Sequence, residues 1–486
     1  MTSLWLASHP PIDTDAFDDA PVDVAVVGAG LAGLATAVLL AERGMRVAVL
    51  EARTVGAVAT GNTSGKLSAL QGARLQRIRS VAGERPLQAY VDATLEAQRW
   101  LVDAVGEASE REDAWSYAVT SSGARTIDQE VRVARAAGLP VGRDVPELPF
   151  ATTAAARLRD QHLLDPVGAL AALAARLRAA GGRIHEHAPV RRTRVRGDHV
   201  DVDSTAGTLR ASRVVLATGS PVPSRTLSVL LEAQRSYAIS YRIPGVVPRG
   251  MHLSVDEPSR SLRSAAPLAD ELVVGGAGHP VGRAKDERSS VDELEAWTQR
   301  HWPGAERTHA WSAQDYRTPD LLPWCGARMG SGGRVLVATG FDKWGMTSAV
   351  ACALAIDGWL SDAPRPWAAT LFRRRPTLAL AGNLLGSVAA VAAADSRSWM
   401  AAVRDVGAAT PPEGEGVVHL RGATPVATST VDGVTRTVSA FCPHVLALVQ
   451  WNGQERSWDC SAHGSRFAPD GSRLEGPSAC PLRALR

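Results

Sequence analysis

The stretch Asp23-Val24-Ala25-Val26-Val27-Gly28-Ala29-Gly30-Leu31-Ala32-Gly33 decides how the first part of the chain is read. Asp23 to Val27 is rich in Val and Ala, the composition of a parallel strand buried on both faces. It runs into a G-x-G-x-x-G turn, after which Leu31, Leu34, Val38 and Leu39 recur at helical spacing and Gly44 stands where a helix ends. A second strand, Arg46 to Leu50, ends in Glu51 and is followed by Ala52 and Arg53. Gly28 permits the tight turn, Gly30 lets a diphosphate approach the backbone, and Gly33 lets the helix lie close to the strand. The helix start at Leu31 and Ala32 offers N–H groups and a positive dipole end, and Glu51 is placed to accept hydrogen bonds from a ribose. A lone glycine fingerprint is weak; framed by strand, helix, strand and acid, it marks a dinucleotide site.

Two further segments return to the same sheet. Ser212 to Leu216 is a strand running into Ala217-Thr218-Gly219. Arg334 to Ala338 is another, followed by Thr339-Gly340-Phe341-Asp342-Lys343-Trp344-Gly345-Met346-Thr347 and a long apolar helix from Ser348 to Leu360. That turn aims a helix N-terminus back at the cofactor, which suits the electron-rich end of a reduced isoalloxazine and selects a flavin over a nicotinamide. Gly276-Ala277-Gly278-His279-Pro280-Val281-Gly282 imitates the fingerprint after a strand at Glu271 to Gly275. Pro280 and the polar run Arg283 to Ser289 deny it a helix, so it reads as a loop, with no second nucleotide site.

The whole chain of 486 residues is long enough for two or three domains. Its net charge of +3 gives no footing for nucleic acid or an acidic membrane surface. Five scattered cysteines are not a secreted disulfide framework, and Met1 to Val22, with four aspartates and no apolar core, is not a signal peptide. Thr377 to Ala394 carries no charge but is mostly Ala and Gly, which reads as a buried or surface-lying helix rather than a membrane span; the expected location is the cytoplasm.

The first part of the chain resembles the D-amino-acid-oxidase-like (DAO) flavoprotein superfamily, in particular its bacterial members with a C-terminal Rieske domain. The matching pieces are Ser3-Leu4-Trp5, Asp23 to Gly30, Gly61-Asn62-Thr63-Ser64-Gly65-Lys66-Leu67-Ser68, Asp165-Pro166, Pro189-Val190, Asp320-Leu321-Leu322-Pro323 and Gly340 to Thr347. The resemblance implies an α/β Rossmann-like FAD-binding domain interleaved with an α+β substrate domain. After an N-terminal arm (1–22), the oxidoreductase part spans 23–362, with flavin-binding segments at about 23–79, 161–221 and 323–362. Substrate-domain segments lie at about 80–160 and 222–322. It also implies that Thr63, Ser64, Gly65, Lys66 and Leu67 wrap the flavin and that Val190 contacts the adenine side. Gly345, Met346 and Thr347 would approach the pyrimidine edge, Gly340 belongs to the same flavin turn, and Trp344 either walls the flavin face or simply packs. Some relatives attach FAD through a cysteine; Ser312-Ala313-Gln314-Asp315-Tyr316 has none at that place, so non-covalent FAD is expected. By the same analogy Arg235, Tyr237, Arg263, His279, Lys66 and Lys343 are candidates to face the substrate. Lys66 and Lys343 stand out because the only other lysine is Lys285. An ammonium beside a flavin stabilises its anionic reduced form.

From about Gly414 the texture changes to short strands with Gly and Asp turns, as in a small all-β domain. It holds Cys442-Pro443-His444 and, farther on, Cys460-Ser461-Ala462-His463. Two thiolates and two imidazoles in C-x-H and C-x-x-H pairs are the ligand inventory of a Rieske [2Fe-2S] cluster, both Cys on one iron and both His on the other. A Cys2His2 set also satisfies tetrahedral Zn²⁺, but zinc patterns pair Cys with Cys and His with His along the chain. Trp451-Asn452, Trp458, His463-Gly464-Ser465-Arg466-Phe467 and Gly476-Pro477 also resemble the flanks of a Rieske domain. Ala447 and Ala462 stand where high-potential Rieske domains carry a disulfide, and Phe467 where many carry Tyr, which implies a potential toward the lower part of the Rieske range. Cys325, Cys352 and Cys480 read as ordinary thiols. The domain is expected over 413–486, joined by a helical connector at 363–412.

Together these features predict an enzyme: a flavin that oxidises the C–N bond of a small amine or amino-acid-like substrate, with single electrons passed through the cluster to an external acceptor such as a ferredoxin or a quinone. Two other readings use the same parts. A ferredoxin could feed electrons the other way into a reductase or monooxygenase-type reaction, or the chain could be a non-catalytic electron-transfer protein.

Overall fold

The computed structural model describes all residues except 222–229, 285, 374–377, 405–409 and 486; Arg374, Arg375 and Pro376 of the expected connector are therefore outside the described residues. The Val-rich segment forms the strand Val22–Val27, paired in parallel with Val47–Leu50 on one side and Thr208–Leu216 on the other. Val335–Thr339 adds a further parallel strand and Trp324–Ala327 an antiparallel edge, while Arg183–His185 extends the other side. Leu31–Ala41 and Gly345–Leu360 are buried on nearly every side, which is why both read as continuous apolar runs rather than amphipathic stripes.

A second eight-stranded sheet takes Glu306–Arg317, Glu232–Arg242, Leu272–Pro280, Ser261–Ser264, Met251–Ser254, Ser109–Ala118, Ala154–Leu164 and Lys66–Leu67, in that order. Lys66 and Leu67, expected among the flavin loops, thus form the edge strand of this second sheet. Gly276 to Pro280 is strand and not the expected loop: it continues Leu272–Pro280 beside Glu232–Arg242, with a register shift between Arg235 and Tyr237. A lone glycine-rich run has no helix to form there, and backbone pairing with a long neighbouring strand satisfies its donors and acceptors instead.

The N-terminal residues are tied down by their side chains. Trp5 is fully buried and donates its indole N–H to Thr63 O at 2.8 Å, while Trp311 donates to Asn62 O at 2.9 Å. The apolar segment near 378 forms the helix Leu378–Arg404, one face of which is held on the C-terminal domain: Asp395 Oδ1 accepts the Leu448 amide at 3.0 Å and Gln450 donates to Ser398 Oγ at 2.6 Å. Among the described residues no helix is long and apolar enough to cross a membrane. Beyond it lie a three-stranded sheet, Gly416–Arg421, Thr424–Val431 and Val434–Ser439, and a four-stranded one, Val449–Asn452, Ser457–Cys460, Arg466–Phe467 and Arg473–Glu475. Both lie over a small core that includes Cys442, Cys460, Trp458 and Phe467.

Candidate active site and metal centre

The turn after the first strand is as tight as its glycines demand. A Cβ on Gly28, whose φ is +105°, would lie 2.6 Å from Ala217 O, and one on Gly33 would lie 1.8 Å from Gly28 O. Only glycine lets the helix start, the strand end and the Ala217-Thr218-Gly219 turn converge this closely. Glu51 follows the second strand with Oε2 accepting the Ala29 amide at 2.8 Å and Oε1 the Arg53 amide at 2.9 Å. Burial pushes its pKa up against those hydrogen bonds.

These elements open onto a cavity of about 750 Å³. Gly28, Gly30, Leu31 and Ala32 line one end together with Glu51, Ala52, Arg53 and Val190. Ala217, Thr218 and Gly219 lie along its side, and Thr63, Ser64, Lys66, Trp344, Gly345 and Met346 line the other end. Gly33, Gly65, Leu67, Gly340 and Thr347 stand off the lining. Gly65 shows why: at φ +64° it turns the chain so closely that a Cβ would lie 2.6 Å from Leu164 O. The size suits an extended cofactor with a small second molecule, and the glycine cradle and the ribose-side carboxylate fit a flavin dinucleotide.

At the far end two lysine side chains line the cavity. Lys66 is buried, donating to His252 O and Ser261 Oγ, each at 2.7 Å, and loss of water drives its pKa well below that of a free lysine. Lys343 is exposed toward the cavity; the surrounding protein lowers its pKa, and the Asp342 and Asp315 carboxylates oppose that shift. Asp342 and Lys343 have φ of +47° and +68°, a conformation that costs non-glycine residues free energy. An Arg74–Asp342 ion pair and donation of the Lys343 amide to Asp315 hold them there. Asp315, pushed up to about 6 by burial, also lines the cavity. No motif announces Asp315 or Arg74; the roles come from distant strands meeting.

Tyr237 lines the cavity, is 2% exposed, and has its phenol pKa raised by burial. Three other candidates lie elsewhere. Arg263 is held behind the wall, with its guanidinium donating to Ser64 O and Leu164 O and its Cζ 4.9 Å above the Trp5 ring. His279 packs against Tyr237, ring centroids 6.0 Å apart, with Nδ1 2.9 Å from Ala277 O, and is off the lining. Arg235 is off the lining as well: it is wholly buried, and its guanidinium is drawn to Asp459 of the C-terminal domain and to Gln314, its partner on the neighbouring strand.

In the C-terminal domain the two ligand loops meet face to face. Cys442 and Cys460 are fully buried and share a hydrogen bond between their sulfurs, which lowers the Cys442 pKa to about 7 and raises that of Cys460. The His444 and His463 rings lie 5.1 Å apart at 85°. His463 Nδ1 is buried with no hydrogen-bond partner among the described residues. No three donors of this kind converge on a single point among the described residues. The arrangement is two pairs, a thiol pair and an imidazole pair, as a two-iron cluster needs. Ser465 hydrogen-bonds the Cys442 sulfur and accepts the Ser478 amide at 3.0 Å. Phe467, Ala447 and Ala462 are core residues beside these loops.

The loop carrying Cys460 and His463 is clamped to the second sheet. Gln314, which lines the cavity, donates Nε2 to Gly464 O at 2.7 Å and accepts from Arg235 Nη2 at 2.8 Å. Arg235 Nη1 reaches Asp459 Oδ2 at 2.9 Å, and Arg283 donates to Ser461 O at 3.1 Å. One cavity wall and one ligand loop therefore share a seam.

A dinucleotide cradle on a Rossmann-like sheet, opening toward a second mixed sheet, defines a flavin-dependent oxidoreductase, and the chain belongs to the FAD dependent oxidoreductase (DAO) family, which it matches over residues 23–359. Over its full length it is 27% identical to YhfW of Bacillus subtilis (strain 168), covering 96% of that protein, which is provisionally described as a Rieske 2Fe-2S iron-sulfur protein. A stretch of 45 residues, a quarter of the relative's length, is 40% identical to cytochrome b6-f complex iron-sulfur subunit 1 of Synechocystis sp.. Among solved structures, glycine oxidase from Geobacillus kaustophilus shares the fold with a TM-score of 0.62 at 22% identity, covering 74% of this chain and 99% of that one. L-proline dehydrogenase from P. horikoshii shares it with a TM-score of 0.60 at 17% identity, covering 72% and 96%.

Proposed function

We propose that this oxidoreductase withdraws electrons from the C–N bond of a small amine or amino-acid-like substrate and delivers them one at a time, through a Rieske [2Fe-2S] cluster on Cys442, His444, Cys460 and His463, to an outside acceptor. When bound, FAD supplies two-electron chemistry and the two-iron cluster single-electron transfer. The observation that carries the reading is Gln314, a wall of the cavity hydrogen-bonded to the loop that holds two of the four ligands. The glycine fingerprint and Glu51 hold the dinucleotide, and the names of the full-length and partial relatives support the cluster.

Within the cavity each side chain has a defined task. Trp344, Gly345 and Met346 present a helix N-terminus, whose dipole favours negative charge on a bound group. Lys66 spends two N–H groups on His252 O and Ser261 Oγ, which fixes its nitrogen at the cavity wall. Lys343 brings a second basic group, held by its strained turn. Tyr237 closes one side and excludes water. Arg235 is a positioning residue at the seam, and His279 supports the Tyr237 ring.

The test is anaerobic mixing of purified protein with a panel of amines and amino acids while following the visible spectrum. Flavin bleaching followed by loss of the oxidised cluster signal is expected. Bleaching only on addition of reduced ferredoxin would reverse the direction of flow, and zinc in place of iron in the purified protein would remove the cluster from the scheme.

A further inference from the structure

The four residues Arg473, Leu474, Glu475 and Gly476 belong to the C-terminal domain, yet they line the dinucleotide cavity alongside Glu51 and Ala217-Thr218-Gly219. Their position is held by the fold. Gly476 O accepts the Tyr316 hydroxyl at 3.4 Å, and the Tyr316 ring lies 3.4 Å from where a Cβ on Gly219 would stand. Tyr316 thus connects the flavin-side turn to the strand of the small domain. Glu475 is engaged with Arg466 at 3.4 Å.

Arg473 is not so engaged. It is half-buried, donates Nη1 to Ser478 O at 3.2 Å, and has no carboxylate within ion-pair distance among the described residues. Of the other arginines on the lining, Arg74 is taken by Asp342 and Arg317 by Glu232, while Arg53 and Arg77 are exposed where Arg473 is half-buried. Burial lowers the Arg473 pKa, opposed by the Cys480 thiol and then by the Glu51 carboxylate. A half-buried guanidinium with no carboxylate in ion-pair distance among the described residues, on the wall of a cavity also lined by the helix start at Gly30 and Leu31 and by Glu51, is complementary to a diphosphate.

We infer that the C-terminal domain completes the cofactor site, with Arg473 supplying a guanidinium to the diphosphate of the bound dinucleotide. This rests on the flavin reading above. Retention of the cofactor is then coupled to docking of the cluster domain, so the two redox groups are kept on one rigid unit.

The experiment compares full-length wild type with Arg473→Ala, Arg473→Gln and Arg473→Lys. The readouts are the dissociation constant of FAD, from fluorescence of released flavin, the affinity of the flavin-free protein for ADP, and iron content. Loss of a charge-assisted contact is expected to weaken both FAD and ADP by about 10- to 100-fold in the Ala and Gln variants, with iron unchanged and part of the affinity restored by Lys. ADP carries the diphosphate without the isoalloxazine, so a parallel loss assigns the contact to that end. FAD and ADP bound at wild-type strength by iron-replete Arg473→Ala or Arg473→Gln would overturn the inference alone. A wild-type protein that holds no flavin would overturn the functional reading, and this inference with it.

Discussion

Arg235 and Asp459 face each other across the seam between the second sheet and the C-terminal domain, 2.9 Å apart, with side chains 0% and 2% exposed. Asn452 Nδ2, at 3.1 Å, and Ser457 Oγ, at 2.8 Å, also donate to the same carboxylate, so its oxygens are saturated. Arg466 Nε lies 3.5 Å from the other Asp459 oxygen, but Arg235 is the nearer cation, and removing it leaves a buried carboxylate short of its closest counter-charge.

Arg235→Met is therefore expected to destabilise the docked protein by roughly 3–5 kcal/mol. Following the visible absorbance of the cluster during thermal or denaturant unfolding measures it. The double variant Arg235→Met with Asp459→Leu should lose less than Arg235→Met alone, because no charge is left without a partner.

Glu51 sits where a ribose hydroxyl would reach it while it holds the Ala29 and Arg53 amides. Glu51→Ala removes both functions, and a tenfold or larger rise in the FAD dissociation constant is expected, from about 1.5–3 kcal/mol per charged hydrogen bond. Flavin-to-protein ratio after gel filtration is the readout, with iron content unaffected.

Ser465 donates to the Cys442 sulfur, and such a bond favours the more negative, reduced cluster. Ser465→Ala should lower the one-electron midpoint potential by roughly 40 mV, taking about 1 kcal/mol for the lost bond. A redox titration followed by electron paramagnetic resonance reads this shift; an unchanged potential would separate Ser465 from the cluster.

Glu130 is fully buried, accepts the Leu75 and Gln76 amides at 2.9 and 3.0 Å, and has its pKa pushed up to about 7 by burial. The folded state keeps a proton that the unfolded chain gives up above about pH 4.5, so stability from this group is complete below that pH and lost as pH rises through 7. Glu130→Gln cannot ionise. The stability of wild type relative to this variant should fall by about 3 kcal/mol between pH 4.5 and 8, as measured by denaturant unfolding at each pH.

Much of the site was legible along the chain because its demands are local. The G-x-G-x-x-G turn and the C-x-H and C-x-x-H pairs each depend on neighbours a few residues apart, and the acid two dozen residues on falls within the same strand–helix–strand unit. Other expectations failed for a nonlocal reason. Gly276 to Pro280 looks like a loop taken alone, but a partner strand from Glu232 to Arg242 makes it sheet. Arg235 carries the same composition signal as any arginine, and only the docking of Asp459 from the C-terminal domain draws it to the seam.

By itself, then, the chain's order of residues determined that a dinucleotide cradle stands near the start and a four-donor ligand set near the end, since both are written in short-range spacing. What the tertiary structure alone decided is how they meet: Arg235 and Asp459 lie 224 residues apart, and Arg473 enters a cavity built by residues from the opposite end of the chain. Side-chain direction across a docked interface is set by sheet register and packing of whole domains, which no local pattern encodes.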